Sequence, residues 1–385
     1  MDREDFVTLC LNEAPSPSFV ISEDLLENNL QILHRVKTRA GCKILLALKA
    51  FAAFSVFPLI RRRLDGVCAS GPHEARLGRE EFGGEVHVCA PAYTEADIQE
   101  LLKTSDHISF NSFTQWERFR DLVQRSGRTV KCGLRINPEC SASPVPLYDP
   151  CAAGSRLGIR RGQFVGRDLD GITGMHFHAL CEQDAGALEA VVNAVEKNFG
   201  EMISKMKWMN FGGGHHITRQ GYDIDRLCRI LSEFQSRHPC VVYLEPGEAV
   251  AHRAGVLIAT VLDVVENDGL TAILDTSAET HMPDVLAMPY RPEVFGSDLP
   301  RRLPHTYRLG GVTCLAGDII GEYSFNQPLK PGDRLAFLDA AQYSMVKTTT
   351  FNGVPLPAIS VVRAGSNHVE VIRRFGYEDY RSRLS

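Results

Sequence analysis

Apolar residues follow two alternating patterns along the first two thirds of the chain. Short apolar runs indicate buried strands, and the stretches between them carry apolar residues at helical spacing. In residues 23–38, for example, Leu25, Leu26, Leu30, Leu33 and Val36 lie near one helical face. Further helices are predicted in residues 95–103, 114–125, 185–198 and 224–237.

The apolar runs predict eight strands before residue 250. They lie at residues 43–48, 66–69, 86–89, 107–110, 130–136, 172–177, 208–211 and 241–244. Strands joined by helical crossovers form parallel sheets, and eight of them close into a barrel. An open doubly wound sheet is the alternative, but no Gly-x-Gly-x-x-Gly follows the first strand. The predicted fold is therefore an α/β, TIM-type (β/α)8 barrel over residues 22–250.

The pattern changes after Gly247. Strands separated by proline and glycine turns, with little helix between them, are predicted at residues 255–265, 270–274, 334–338, 343–347 and 368–373. We expect a C-terminal β-domain over residues 251–385. Residues 1–21, with the strand predicted near residues 18–22, are expected to join this domain. The long irregular segment 137–161 is typical of a functional insertion or a mobile lid.

Composition narrows the function classes. The 385 residues are 44% hydrophobic and 23% charged, with a formal net charge of −5. No basic block appears, which argues against nucleic-acid binding, and an acidic balance is compatible with a small cationic substrate.

The eleven scattered cysteines favour reduced thiols over a disulfide framework. The first residues lack a signal-peptide pattern and no apolar stretch has spanning length, so we expect a cytoplasmic protein without a membrane segment.

Candidate functional residues gather at the carboxyl ends of the predicted barrel strands, where barrel enzymes carry their active sites. They are Lys49 after the first strand, Arg135 in the fifth, His176 and His178 at the sixth, Gly212, Gly213 and Gly214 after the seventh, and Glu245 after the eighth. Each alone has a structural explanation, such as a tight turn or a solvated strand-end lysine. Their combination at one barrel mouth favours a cofactor site.

These residue types suit pyridoxal 5′-phosphate. A desolvated lysine such as Lys49 can form a Schiff base with an aldehyde cofactor. A glycine-rich turn offers backbone N–H groups to a phosphate. A carboxylate such as Glu245 can keep a pyridine nitrogen protonated, and a histidine can stack on the ring. The His-x-His pair lacks a third ligand at a recognisable spacing, so no metal is predicted.

The sequence resembles the fold-type III pyridoxal-phosphate decarboxylases, which have an alanine-racemase-like fold and include ornithine and diaminopimelate decarboxylases. The resemblance covers nearly the whole chain and rests on residues 48–51, 176–182, 210–216, 244–248, 314–318 and 339–343. Within that group the sequence is most similar to the carboxynorspermidine (carboxyspermidine) decarboxylases. Three elements are more specific to this branch than the rest: Leu-Cys-Glu at residues 180–182, Cys-Leu-Ala-Gly-Asp at residues 314–318, and Glu248.

The resemblance implies a role for each matching residue. Lys49 carries the cofactor, His178 stacks on its ring, Glu245 pairs with the ring nitrogen, and Tyr343 joins the three glycines around the phosphate. Cys314, delivered from the other subunit of a homodimer with shared active sites, protonates the product carbanion. Asp275 and Asp318 face the distal amines of the substrate. Arg135 lies near the cofactor hydroxyl, and Arg156 meets the substrate carboxylate.

Two departures from the group bear on the substrate. Glu248 stands where the relatives usually have an arginine that reaches the phosphate, and Leu315 stands where they have an acidic residue. Both favour a longer carboxylated polyamine, carboxynorspermidine or carboxyspermidine. The alternatives are diaminopimelate, ornithine or arginine as substrate, a racemase with a catalytic tyrosine on the same scaffold, or a non-catalytic binding relative of the same fold.

Overall fold

The computed structural model describes residues 1–142 and 146–385, and the chain divides into two compact units. One unit is Asn29–Val250, and the other joins Met1–Asn28 to Ala251–Ser385. Residues 143–145, inside the segment predicted to be irregular, lie outside the described part. Within the described ranges, no helix is both long and apolar enough to cross a membrane.

The N-terminal residues begin the second unit with helix α1 (Arg3–Glu13) and strand β1 (Ser18–Ser22). Asp2 caps α1, because its side chain accepts a hydrogen bond from the N–H of Asp5 at 2.9 Å. The sequence pattern did not predict α1, since the helix buries only three side chains, Phe6, Val7 and Cys10. So narrow an apolar face gives little helical periodicity.

The barrel predicted from sequence is confirmed. Eight parallel strands pair in chain order, and the first also pairs with the last, which closes the sheet. They are β2 (Lys43–Ala47), β3 (Gly66–Ala69), β4 (Glu85–Cys89), β5 (His107–Phe110), β6 (Lys131–Arg135), β7 (Ile172–His176), β8 (Trp208–Asn210) and β9 (Val241–Leu244). Observed and predicted strand ends differ by no more than two residues.

Helices alternate with these strands, as expected for parallel crossovers, except between β6 and β7, where the described residues form only short 3-10 turns. They are α2 (Glu23–Ala40), α3 (Phe57–Ile60), α4 (Pro72–Leu77), α5 (Glu95–Thr104), α6 (Phe113–Arg125), α7 (Ala185–Ile203), α8 (Ile224–Arg237) and α9 (Glu248–Ala251). Side-chain caps fix where several of them begin: Thr94 accepts from the N–H of Asp97 at 3.1 Å, and Asp184 accepts from the N–H of Ala187 at 2.9 Å. In this arrangement the loops that follow the carboxyl ends of the strands carry the functional side chains.

The other unit is a mixed sheet in the order β12-β14-β13-β11-β10-β1-β16-β17, with β15 paired to β10. Its strands are β10 (Gly255–Glu266), β11 (Leu270–Leu274), β12 (Ser297–Asp298), β13 (His305–Gly310), β14 (Ile319–Phe325), β15 (Arg334–Leu338), β16 (Ala358–Val362) and β17 (Glu370–Arg373). Three short helices accompany them: α10 (Ala278–His281), α11 (Asp284–Ala287) and α12 (Tyr377–Arg381).

The strand predicted at residues 343–347 is wrong. Tyr343 has a φ of 50°, in the left-handed region, and Met345–Lys347 forms a 3-10 turn. A left-handed residue interrupts the extended backbone that a strand requires. Strands β12, β13, β14 and β16 were not predicted. In β14, Gly321 interrupts the apolar pattern.

Candidate active site

Lys49 lies two residues beyond the end of β2. Its side chain is exposed, whereas Leu48 and Ala50 on either side are buried. The prediction of a desolvated lysine is therefore wrong, because Lys49 projects past the strand end. The positive charge of Lys49 nevertheless adds to the effect of burial in lowering the pKa of His178.

Glu245 follows β9 and is held by two neighbours from the barrel interior. The side-chain amide of Asn210 donates to Glu245 Oε1 at 2.6 Å, and His176 Nε2 lies 3.4 Å from Oε2. Burial alone would raise the pKa of Glu245, but the imidazole of His176 outweighs it and holds the pKa below its ordinary value. The site thus contains a buried carboxylate that is kept anionic.

Cys89, the last residue of β4, is a site residue that sequence reasoning missed. Burial works to raise the pKa of its thiol, but the hydrogen-bonded imidazole of His176 reverses the direction and lowers it. Burial likewise works to lower the pKa of His176, yet Glu245 and Cys89 raise it to about 9. Cys89, His176 and Glu245 therefore form one coupled series of ionisable groups. The position of Cys89 at the end of the strand predicted at residues 86–89 could have marked it as a candidate site residue.

His178 is fixed in a neutral form by a backbone contact. The N–H of Gly213 donates to His178 Nδ1 at 2.9 Å, so this nitrogen carries no proton. Burial, followed by the charges of Lys49 and Arg135, lowers the pKa of His178 well below its ordinary range. Arg135, from the end of β6, also donates to the His178 carbonyl at 3.4 Å. A neutral imidazole at this place can pack against an aromatic ring without adding charge.

The three glycines after β8 form a turn too tight for side chains. A Cβ at Gly213 would lie 2.1 Å from the carbonyl oxygen of Glu245, and one at Gly214, where φ is 84°, would lie 2.0 Å from that of Leu180. The N–H of Gly212 donates to Asn210 Oδ1 at 2.9 Å, and that of Gly213 donates to His178. Two of the three predicted phosphate donors thus orient Asn210 and His178 instead, because the loop folds back on the strand ends.

Acidic side chains flank this loop. Glu248 begins α9 directly after the Glu-Pro-Gly turn, and its Oε1 lies 3.5 Å from His216 Nδ1. Burial raises the pKa of the Cys181 thiol, and the charges of Glu182 and Glu248 add to the rise. Glu182 has a φ of 55°, a left-handed conformation that a residue with a side chain rarely adopts. Two carboxylates therefore lie around Cys181 at the same end of the barrel.

In the unit that contains the mixed sheet, residues 1–28 and 251–385 (the β-unit), Asp318 supports the loop that carries Cys314. Asp318 is 3% exposed. Its Oδ1 accepts from the N–H of Ala278 at 2.8 Å, and its Oδ2 accepts from the hydroxyl of Thr313 at 2.7 Å. Cys314 is exposed, and its N–H donates to Asn352 Oδ1 at 2.9 Å. The prediction that Asp318 faces substrate amines is not supported, because internal hydrogen bonds engage both of its oxygens.

The remaining predicted residues lie in different settings. Asp275 accepts from the Ser16 hydroxyl at 2.6 Å and from the N–H of Thr260 at 2.7 Å. Its carboxylate therefore links β10 to the segment that precedes β1. Tyr343 is half-buried, with the Lys347 ammonium 5.3 Å from its ring centre. Arg156 is exposed, and its carbonyl accepts from Asn111, which directly follows β5.

The chemistry of the donor set in the barrel fits pyridoxal 5′-phosphate. Lys49 offers an exposed amine to an aldehyde, Glu245 offers an anionic carboxylate to a pyridine nitrogen, and His178 offers a neutral ring. These three properties are the ones that the cofactor requires of its protein.

Comparisons with known proteins agree with this chemistry. A family model described as pyridoxal-dependent decarboxylase, C-terminal sheet domain, matches residues 19–341. A carboxyaminopropylagmatine decarboxylase from Synechocystis sp. is 50% identical, over 97% of this chain and 96% of the relative. A carboxynorspermidine/carboxyspermidine decarboxylase from Campylobacter jejuni is 44% identical, over 96% of this chain and 98% of the relative.

A solved structure is similar over the same extent. The crystal structure of Campylobacter jejuni carboxynorspermidine decarboxylase complexed with norspermidine covers 96% of this chain and 99% of its own, with a TM-score of 0.89 and 42% identity. An arginine decarboxylase from Paramecium bursaria Chlorella virus has a TM-score of 0.76 at 18% identity, which supports the fold alone.

Proposed function

Since this chain belongs to the pyridoxal-dependent decarboxylases, with pyridoxal 5′-phosphate as cofactor, we propose that it removes the carboxyl group of a carboxylated polyamine. The observation that carries the proposal is the near full-length identity of 44–50% to relatives named for such substrates. The two carboxylates near Cys181 suit a cationic substrate as well. Diaminopimelate, ornithine and arginine are weaker candidates, because diaminopimelate decarboxylases such as that of Archaeoglobus fulgidus are only 22% identical.

The carboxylated polyamines named for these relatives fall into two classes by the group at their far end. Carboxynorspermidine and carboxyspermidine end in an ammonium group, and they are what the resemblance in the sequence favours. Carboxyaminopropylagmatine ends in a guanidinium group, and the relative named for it is the more similar of the two, at 50% against 44% identity. A planar guanidinium pairs well with carboxylates such as Glu182 and Glu248. We therefore rank the guanidinium substrate first.

The barrel residues would hold the cofactor in defined positions. Lys49 would hold its aldehyde carbon, Glu245 its ring nitrogen and His178 its ring face, while Gly214 would meet its phosphate. When bound, pyridoxal phosphate supplies an electron-accepting ring that stabilises the charge left by departing carbon dioxide. Asn210 and His176 orient Glu245 and keep it ionised, so the carboxylate can retain a proton on the ring nitrogen.

Proton return to the product is assigned to Cys314. An exposed thiol on a loop can reach a neighbouring site, and the hydrogen bonds of Asp318 and Asn352 hold that loop in one conformation. The proposal includes a homodimer in which Cys314 of one subunit serves the barrel of the other. Asp318 is then a positioning residue rather than a substrate ligand.

A substrate comparison tests the function. Purified protein with added pyridoxal phosphate is incubated with carboxyaminopropylagmatine, carboxynorspermidine, carboxyspermidine, diaminopimelate, ornithine and arginine, and the products are identified by mass spectrometry. We expect the highest kcat/KM for the guanidinium substrate and measurable turnover of the two other carboxypolyamines. The matched control is Lys49→Ala, which should turn over none.

Three results would contradict the proposal. A preference for diaminopimelate, ornithine or arginine would move the chain to another branch of the family. Failure to release carbon dioxide from any of the six compounds, despite a visible cofactor absorption band, would support a racemase instead. The same failure without such a band would support a non-catalytic binding relative.

A further inference from the structure

The amino-terminal end of the barrel carries a second group of ligand-type side chains. Glu85 opens β4, His87 lies two residues further along it, and His107 opens the adjacent β5. His87 and His107 are paired in the strand register, and one ligand atom from each of the three residues lies within 4.8 Å of the others. The proposed decarboxylase site uses the opposite ends of the strands, so this group has no part in it.

His107 is buried without a partner for its polar atoms. Its exposure is 1%, and neither Nδ1 nor Nε2 has a hydrogen-bond partner among the residues that the structure describes. Its ring stacks on that of His87, with 3.8 Å between centroids, and meets the Trp208 ring edge-on at 5.0 Å. Buried imidazoles normally have at least one hydrogen bond, so the position needs another explanation. A ligand between the rings and Glu85 would supply one.

Glu85 faces both His87 and Lys43. Its Oε2 lies 3.2 Å from His87 Nε2, and its Oε1 forms an ion pair with the Lys43 ammonium group. The carboxylate and the His87 imidazole are therefore already adjacent, as two ligands of one ion must be.

We propose that Glu85, His87 and His107 bind one divalent transition-metal ion, with Zn²⁺ as the best match. Two imidazoles and one carboxylate are ligands that zinc uses in proteins, and the ion would join strands β4 and β5 inside the barrel. The hydroxyl of Tyr243 donates to Glu85 Oε2 at 3.0 Å and would orient the carboxylate as an outer partner.

Lys43 sets the affinity of this site. Its ammonium group forms an ion pair with Glu85 Oε1, so Lys43 and the metal compete for one carboxylate. Lys43 is 38% exposed in its side chain and can move toward solvent when the ion enters. The competition predicts that metal binds more tightly when the positive charge of Lys43 is removed.

Metal titration of the whole protein tests the proposal. The protein, prepared without a histidine tag, is stripped with a chelator and titrated with Zn²⁺ by calorimetry, with the bound metal counted by native mass spectrometry. We expect one ion per chain, affinity lower by about tenfold or more in His107→Asn, and higher affinity in Lys43→Gln. His238→Asn is the matched control, since His238 lies 2.9 Å from Glu196 as a separate histidine–carboxylate pair and should leave binding unchanged.

X-ray absorption on the wild-type protein provides a test that does not depend on the folding of a variant. The expected spectrum has two imidazole nitrogens and carboxylate oxygen at about 2.0–2.2 Å. Sulfur in the first shell would overturn the proposal, because it would assign the ion to cysteines. Absence of stoichiometric binding, or equal binding by His107→Asn, would overturn it too. None of these readouts depends on decarboxylase activity, so they stand apart from the proposed function.

Discussion

His176 Nε2 lies 3.4 Å from Glu245 Oε2 inside the barrel, and each group shifts the pKa of the other. The imidazole retains its proton up to about pH 9, and the carboxylate stays ionised although it is buried. The two residues end or follow strands β7 and β9, with Asn210 on the strand between them. The barrel register therefore fixes the charge of the carboxylate as well as its position.

Glu245→Gln should fold and lose activity. The amide has the shape of the carboxylate and can still contact Asn210, but it offers no negative charge to the cofactor ring nitrogen. We expect kcat to fall by about two orders of magnitude, the scale of losing one preorganised electrostatic group. Glu196→Gln, which removes a carboxylate from a separate ion-pair cluster, is the control. Unchanged turnover in Glu245→Gln would mean that another group protonates the ring.

Lys49→Ala should abolish covalent capture of the cofactor. Lys49 is the lysine at the carboxyl end of β2 whose charge acts on His178, so no second amine is expected to replace it. Borohydride reduction followed by peptide mapping should find the pyridoxyl group on Lys49 in the wild-type protein and on no lysine in the variant. Lys103→Ala, on an exposed helical pair with Glu100, should retain wild-type labelling. A pyridoxyl group on another lysine would refute the assignment.

Inactive Lys49→Ala and Cys314→Ala subunits should complement each other when mixed. If Cys314 serves the barrel of the partner subunit, each heterodimer contains one site with both residues intact. Random mixing makes half of the dimers heterodimers, so roughly a quarter of wild-type activity should return. Subunit exchange is verified by native mass spectrometry of differently tagged chains. Complete exchange without recovered activity would place Cys314 in the site of its own chain or outside catalysis.

The barrel was predictable because its strands are nearly continuous apolar runs. Because a parallel strand is buried on both faces, it forms a continuous apolar run, and the run Val67–Ala69 within β3 is easily recognised as a strand. Strand β13 of the β-unit, which was not predicted, has one polar face instead. In β13, Tyr307 and Leu309 are buried while Arg308 between them is exposed, an alternation that six residues barely establish.

The site was predictable in its residue types but less so in its contacts. Lys49, His178 and Glu245 followed from their positions at strand ends. The burial of Asp318 did not, because its hydrogen bonds to Ala278 and Thr313 depend on tertiary structure. Cys89 was missed since a cysteine at a strand end looks like any small core residue.

Acid should destabilise the β-unit through His281. This histidine is fully buried, with Nδ1 2.9 Å from the Thr276 hydroxyl and Nε2 3.1 Å from the carbonyl oxygen of Pro355. Burial lowers its pKa to about 4, although the Pro355 carbonyl and Asp318 oppose the change. In the unfolded chain a histidine has a pKa near 6.5. Between these values the unfolded state binds more protons, so stability falls as pH decreases.

The loss attributable to His281 between pH 7 and pH 5 is on the order of 2 kcal/mol, from the two pKa values and the linkage relation. Both tryptophans, Trp116 and Trp208, lie in the barrel unit, so fluorescence does not report on the β-unit. Hydrogen exchange of peptides from β10 to β14 measures the relevant free energy instead. His281→Asn should be less stable at pH 7 but lose less between pH 7 and pH 5. His368→Asn, at an exposed histidine of the same unit, should keep the wild-type difference; if His281→Asn kept it as well, the acid sensitivity would belong to other groups.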